Sequence, residues 1–238
     1  MSTDTARYFA HPQPTADRPL LGTTVLLVED SRFASEAIRL LCRHSGARIR
    51  RADSLAAAHR HLAVYRPTVV IADMGLPDGS GADLIAELAG AATRVPVLIG
   101  LSGDPERQAE ALDAGADGFL AKPLESVAQF QQALLAHLPA GARFRGPRAV
   151  SGELVTPDPV ALADDLVHVA EIMQGRDGGA LDYAAQFLGG VARSAHDVAL
   201  EEVADNLTRL RRAGHAAKAD LARLRGVVEA RLASVRAV

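Results

Sequence analysis

The chain has 238 residues, enough to bury one large core or two ordinary ones. Its 26 basic and 29 acidic side chains leave a formal net charge of −3, which gives no general pull toward nucleic acid or an anionic membrane surface. The single cysteine, Cys42, excludes an intramolecular disulfide, and no apolar run approaches the roughly 18 residues that span a bilayer, so a cytoplasmic protein is expected.

Residues 1–21 are polar and proline-bearing and lack the charged start and apolar core of a signal peptide; they are expected to be a flexible lead. From Thr24 the chain alternates short β-rich runs with helical ones. TVLLV (24–28) reads as a strand, and SRFASEAIRLLCRHSG (31–46) as a helix with a glycine stop. The more polar ARIRR (47–51) and SLAAAHRHLAVYR (54–66) repeat the pair. TVVIA (68–72) is a fully apolar strand, followed by the turn-rich MGLPDGSG (74–81) and the helix ADLIAELAG (82–90). VPVLIGLS (95–102), DPERQAEALDAG (104–115), DGFLA (117–121) and LESVAQFQQALLAHL (124–138) complete the series. Five alternations predict an α/β domain over 22–138, a doubly wound five-stranded parallel sheet that binds its ligands beyond the carboxyl ends of the strands.

Residues 139–157 are rich in Pro and Gly without periodicity and read as a linker. Beyond them four helical stretches lie near 160–174, 179–195, 198–213 and 215–236. Leu162, Leu166, Val169 and Met173 make one apolar stripe, and Leu221, Leu224, Val228, Leu232 and Val235 another. Short connections favour antiparallel neighbours, so residues 158–238 are predicted to form an all-α four-helix bundle.

Chemistry concentrates at the strand ends of the first domain. Glu29 and Asp30 follow the first strand, Asp73 closes the third, Ser102 the fourth and Lys122 the fifth, ahead of Pro123. Three clustered carboxylates repel one another and call for a cation, and an all-oxygen acidic site suits Mg²⁺. A carboxylate can attack phosphorus to give an acyl phosphate, with Lys122 and the Ser102 hydroxyl neutralising the transferring group. Taken singly, each residue has a structural reading: Asp30 or Ser31 could cap a helix, and Ser102 a turn. The pattern points to phosphate chemistry only because four separate strand ends agree.

VLLVEDS, VVIADMGLPDGSG, IGLSGD and GADGFLAKPL together resemble the receiver domain of two-component response regulators, over roughly residues 22–138. The resemblance implies that Asp73 accepts the phosphoryl group, that Glu29, Asp30 and Asp73 hold Mg²⁺, and that Ser102 and Lys122 contact the phosphoryl group. It places Phe119 at the family's aromatic switch position, beside Ser102 as the other switch residue; the alternative for Phe119 is a simple core aromatic. It further implies a cis Lys122–Pro123 bond, a histidine kinase or phosphotransfer protein as partner, and no enzymatic activity beyond the receiver's own phosphorylation and dephosphorylation.

YAAQFLGGVARS (183–194) carries two adjacent glycines within a helical stretch, each costing about 1 kcal/mol relative to alanine. On a helical projection Ala184, Leu188, Val191 and Ala195 form the buried stripe with Phe187 on its flank, while Gln186 lies nearly opposite. The glycines are therefore expected to strip bulk from an exposed face beside Gln186. QFLGGVA (186–192) resembles the second-helix motif of histidine phosphotransfer domains, with Gln186 in place of the phospho-accepting histidine and Gly189 in place of a lysine. Gln has no titratable nucleophilic nitrogen, so the resemblance implies a degenerate domain in which Gln186, Gly189 and Gly190 dock a partner, and a homodimer through this bundle is expected. The competing readings are a relay through His168, His196 or His215, and a DNA-binding output. Against the latter, residues 151–238 hold 13 acidic and 10 basic side chains with no basic recognition helix.

Overall fold

The computed structural model describes residues 13–144, 146–173, 178–213 and 218–235. Its first part runs β1 (Thr24–Val28), α1 (Arg32–Ser45), β2 (Arg48–Ala52), α2 (Leu55–Leu62), β3 (Val69–Asp73), α3 (Gly81–Gly90), β4 (Val97–Ser102), α4 (Arg107–Asp113), β5 (Gly118–Ala121) and α5 (Val127–His137). Serine starts four of these helices: the side chains of Ser31, Ser54, Ser80 and Ser126 accept from backbone N–H groups of α1, α2, α3 and α5. Helix α1 stops at Gly46, whose φ of 87° is the left-handed conformation that a side chain disfavours.

All strand pairs are parallel, in the order β2-β1-β3-β4-β5, so the topological switch lies between β1 and β3. The two-residue period of a strand sends alternate side chains to opposite faces. Val25, Leu27, Val69, Ile71 and Ile99 pack on one side with Ile38 and Leu41 of α1 and Phe130 and Leu134 of α5. Leu26, Val28, Val70, Ala72 and Leu98 pack on the other with Ala58 of α2, Leu84 and Ile85 of α3 and Ala111 of α4. This two-faced burial explains why β1, β3 and β4 are apolar between their ends.

Two segments expected to be loose are tied down. In the lead, Leu20 is fully buried in the α1–α5 core, and its N–H donates to the Ser45 carbonyl; residues 1–12 lie outside the described region. In the linker, the Val155 side chain enters the same core, Val127 N–H donates to Glu153 and Val155 N–H donates to Glu125. Single apolar residues in otherwise polar stretches anchor both.

The C-terminal region is helical: α6 (Pro159–Ile172), α7 (Gly178–Ser194), α8 (Val198–Arg212) and α9 (Lys218–Val235). Helix α6 packs on α7, α7 on α8, α8 on α9 and α9 back on α6. They enclose Leu166, Val169, Ala184, Leu188, Val191, Leu200, Leu207, Leu224 and Val228. Asp197 caps α8 and pairs with Arg231 of α9, which holds its carboxyl below the ordinary aspartate range, the Arg231 hydrogen bond being the main cause.

The two glycines of α7 differ. Gly189 is buried, and a Cβ there would lie 3.3 Å from Asp205 Oδ1, beneath the Arg193–Asp205 ion pair. A Cβ on Gly190 would meet nothing within 4 Å. The expectation that both lie on one exposed face therefore needs correcting for Gly189, which lets α8 approach. Gly190→Ala should raise the stability of the helical region by up to about 1 kcal/mol, and Gly189→Ala by less. Thermal melts check this; a destabilising Gly190→Ala would contradict it.

Candidate functional site

The carboxyl ends of β1, β3, β4 and β5 bring five predicted residues together. Glu29, Asp30, Asp73, Ser102 and Lys122 line one cavity of ≈ 300 Å³. Lys122 Nζ lies 2.6 Å from Glu29 Oε2 and 3.1 Å from Asp73 Oδ1, and its side chain is 7% exposed. Ser31 N–H donates to Glu29 Oε1 at 3.1 Å and to Asp30 Oδ1 at 3.0 Å. The Ser102 hydroxyl oxygen accepts from Asp104 N–H at 3.1 Å, leaving its proton free to donate. The Lys122–Pro123 peptide is cis. Phe119 packs inward on the α4 side of the sheet, with Ala111, Met74 and Gly100 around it, and does not line the cavity.

Three carboxylates face one ammonium. Burial pushes Glu29 up to about 7 against the pull of Lys122. Burial, then the charge of Asp73, pushes Asp30 up to about 6. Burial likewise pushes Asp73 up to about 7, opposed by Lys122 and reinforced by Glu29. Burial tends to lower Lys122, but the charges of Asp73 and Glu29 win and raise it, so it stays cationic. Carboxylate oxygens of Glu29, Asp30 and Asp73 lie within 4.8 Å of one another. Glu29 Oε2 is fully buried; Lys122 faces it as an ion-pair partner, without hydrogen-bond geometry. An excess of two negative charges on hard oxygens fits a divalent cation such as Mg²⁺.

The helical region completes this site. Asp165 of α6 is 2% exposed, and its carboxylate accepts from Ser31 Oγ at 2.7 Å, Arg32 N–H at 2.8 Å and Phe33 N–H at 3.0 Å. It thus caps the first turn of α1 from another part of the chain. One helix over, the Tyr183 hydroxyl donates to Asp30 Oδ2. Gln186 lies on Gly75, where a Cβ would sit 2.0 Å from Gln186 Nε2, and Arg193 Nη1 would be 3.0 Å from a Cβ on Gly103. Gln186, Gly190 and Arg193 line the cavity that holds Asp73. The Gln186 face expected to await a separate partner is turned onto the chain's own acidic site.

The sequence reading missed Asp165, Tyr183 and the destination of Arg193. For Asp165 a signal existed: it falls three residues after Leu162 and beside Leu166, on the apolar stripe, where a carboxylate needs a partner. Tyr183 carried no such signal. Of the alternative histidines, His196 pairs with Glu125 at 2.8 Å and His168 stacks edge-on against Phe187; neither lines the cavity, and His215 lies outside the described residues.

The raised carboxyl values set a pH dependence. The folded, metal-free protein keeps protons that the unfolded chain loses near pH 4. This contribution to stability is full below that pH and lost as pH rises through about 6 to 7. A divalent cation held by these carboxylates would bind their ionised forms and oppose the loss. Mg²⁺ should therefore raise the melting temperature more at pH 8 than at pH 5.5, and Asp30→Ala should reduce the effect. A pH-independent Mg²⁺ shift in calorimetry would contradict this ligand set.

Residues 25–134 match the response regulator receiver domain family. The chain is 37% identical over 101 residues to the transcriptional regulatory protein KdpE of Mycobacterium tuberculosis H37Rv, covering 42% of this chain and 45% of that one. It is 32% identical over 118 residues to the KDP operon regulator KdpE of Escherichia coli K12, covering 48% and 52%. The chain thus spans about half the length of the curated relatives it matches. Among solved structures it is similar to the receiver domain of sensor histidine kinase PA1611 from Pseudomonas aeruginosa PAO1, which has a magnesium ion in its active-site cleft (27% identity, TM-score 0.44, 48% and 96% coverage). It is also similar to a putative response regulator from Chloroflexus aurantiacus (30% identity, TM-score 0.41, 43% and 87% coverage). Over residues 25–134 the chain is thus similar to response regulator receiver domains.

Proposed function

We propose that the receiver takes a phosphoryl group on Asp73, and that residues 158–238 are a four-helix, phosphotransfer-like domain without a nucleophile, seated on the receiver of its own chain. The observation that carries this reading is the position of Gln186. The α7 residue that stands where the phosphotransfer motif has its histidine lines the cavity of Asp73.

In the proposed reaction an Asp73 oxygen attacks phosphorus of a phosphohistidine on a histidine kinase or phosphotransfer protein. The P–N bond breaks and an acyl phosphate forms. Glu29, Asp30 and Asp73 would hold Mg²⁺, whose charge offsets that of the phosphoryl oxygens. Lys122, fixed between Glu29 and Asp73, and the Ser102 hydroxyl proton supply the remaining positive partners. Helix α7 lies over this site, and Tyr183 holds the outer oxygen of Asp30. A partner histidine and the docked α7 cannot both reach Asp73, so uptake draws on an opened form.

The four-helix phosphotransfer reading is supported by the cyclic packing of α6 to α9 and by the placement of α7. A homodimer through this domain would use α8 and α9, since α6 and α7 contact α1 of the receiver. Its output is protein contact, in keeping with its acidic balance.

With acetyl phosphate and Mg²⁺, wild type should take up one phosphate and Asp73→Asn none. Asp165→Ala, which removes the contact between α6 and α1, should speed initial uptake several-fold. Labelling of Asp73→Asn would sink the assignment of the acceptor, and slower uptake by Asp165→Ala would sink the covering role of the helical domain.

A further inference from the structure

We propose that Gln186 is a catalytic residue for hydrolysis of the aspartyl phosphate on Asp73, making α7 a phosphatase arm built into the same chain; this rests on Asp73 being the phospho-acceptor. Gln186 lines the cavity of Asp73 from α7, with its carboxamide against Gly75. A histidine there would be the nucleophile. The Gln186 carboxamide cannot be, but its oxygen can accept from a water while its NH₂ group donates to a phosphoryl oxygen. Orienting a water for in-line attack is a role that glutamine fills in other phosphoryl-transfer sites.

The geometry supports this on four counts. The carboxamide lies over Gly75, two residues beyond Asp73, and only a glycine leaves it room. Among the described residues its carboxamide has no hydrogen-bond partner, which leaves it able to hold a water. Gln186 is exposed while lining the cavity of Asp73, so water reaches it. Helix α7 is fixed on both sides of it, by Tyr183 on Asp30 and by Arg193 against Gly103, and Arg193 is itself held by Glu201 and Asp205.

In the step, the water oxygen bonds to phosphorus and the P–O bond to Asp73 breaks. Asp73 leaves as a carboxylate. One water proton stays on the product, hydrogen phosphate, and the other passes to solvent. No oxidant or further co-reactant enters, and the cavity of ≈ 300 Å³ bounded by Asp73, Ser102, Lys122 and Gln186 is where both phosphoryl group and water would sit.

The test is the lifetime of the phosphorylated full-length chain. The protein is labelled with acetyl phosphate and Mg²⁺, the donor is removed, and loss of label is followed with Mg²⁺ kept present. Gln186→Leu, which keeps bulk but removes both polar atoms, should lengthen the half-life by about tenfold or more, the size of effect expected from losing a positioned reactant. Asp165→Ala should lengthen it too, by releasing α7 from the site. Gln186→His should move label from Asp73 to an acid-labile, base-stable phosphohistidine. An unchanged half-life in Gln186→Leu overturns the proposal. So does a shortened one, which would make α7 a shield against water. If wild type takes no label at all, the reading of Asp73 falls and this proposal with it; label that enters and decays at the same rate in both proteins overturns only the role of Gln186.

Discussion

The carboxylate of Asp165 is the contact on which the arrangement turns. The first N–H groups of any α-helix have no partner within the helix. Here the N–H groups of Arg32 and Phe33 are supplied by a side chain 132 or more residues away, which also accepts from Ser31 Oγ. Burial raises the Asp165 carboxyl above the ordinary aspartate range, and the bonds from Arg32 and Phe33 counteract that. Because α1 begins immediately after the acidic pair Glu29–Asp30, a clamp on its first turn also sets α6 and α7 beside the carboxylates of the acidic site.

The acidic site and the helical region then become one electrostatic unit. Glu29, Asp30 and Asp73 are too many charges for Lys122 alone. Tyr183 adds a neutral donor to Asp30, and burial, then the charge of Asp30, pushes its own phenol well above its ordinary value, so it remains protonated. A donor that cannot ionise is suited to a crowded acidic cluster, because it contributes a hydrogen bond without adding charge. On the proposed reading, metal, phosphoryl group and α7 would meet at the same few oxygens, coupling occupancy of the site to the seating of the helical domain.

Much of this was legible in the sequence, for physical reasons. The runs 25–28, 69–72 and 97–101 can be apolar throughout only if buried on both faces, which fixes the layered α/β class. In a parallel sheet the residues ending those strands must converge, so Glu29, Asp30, Asp73, Ser102 and Lys122 were identifiable as one site. The helical stretches of the C-terminal part and the buried stripe Ala184, Leu188, Val191 followed from periodicity. What periodicity does not encode is which exposed face meets which partner. Gln186 was correctly placed opposite the core, yet its partner proved to be the same chain, because pairings such as Tyr183 with Asp30 depend on a docking orientation with no local signature. Gly189 was misjudged for a related reason: a helical projection shows direction but not the nearness of α8.

The seating of the helical domain is the central claim, and amide hydrogen exchange at Arg32 and Phe33 tests it most directly. These two groups lack intrahelical acceptors, so protection can come only from Asp165. Exchange of the unmodified chain followed by NMR should show both amides slowed toward the rate of the α1 interior at Ile38 and Leu41. Exchange at the rate of an open helix start would show that the helical domain does not rest on the receiver, and would contradict the account.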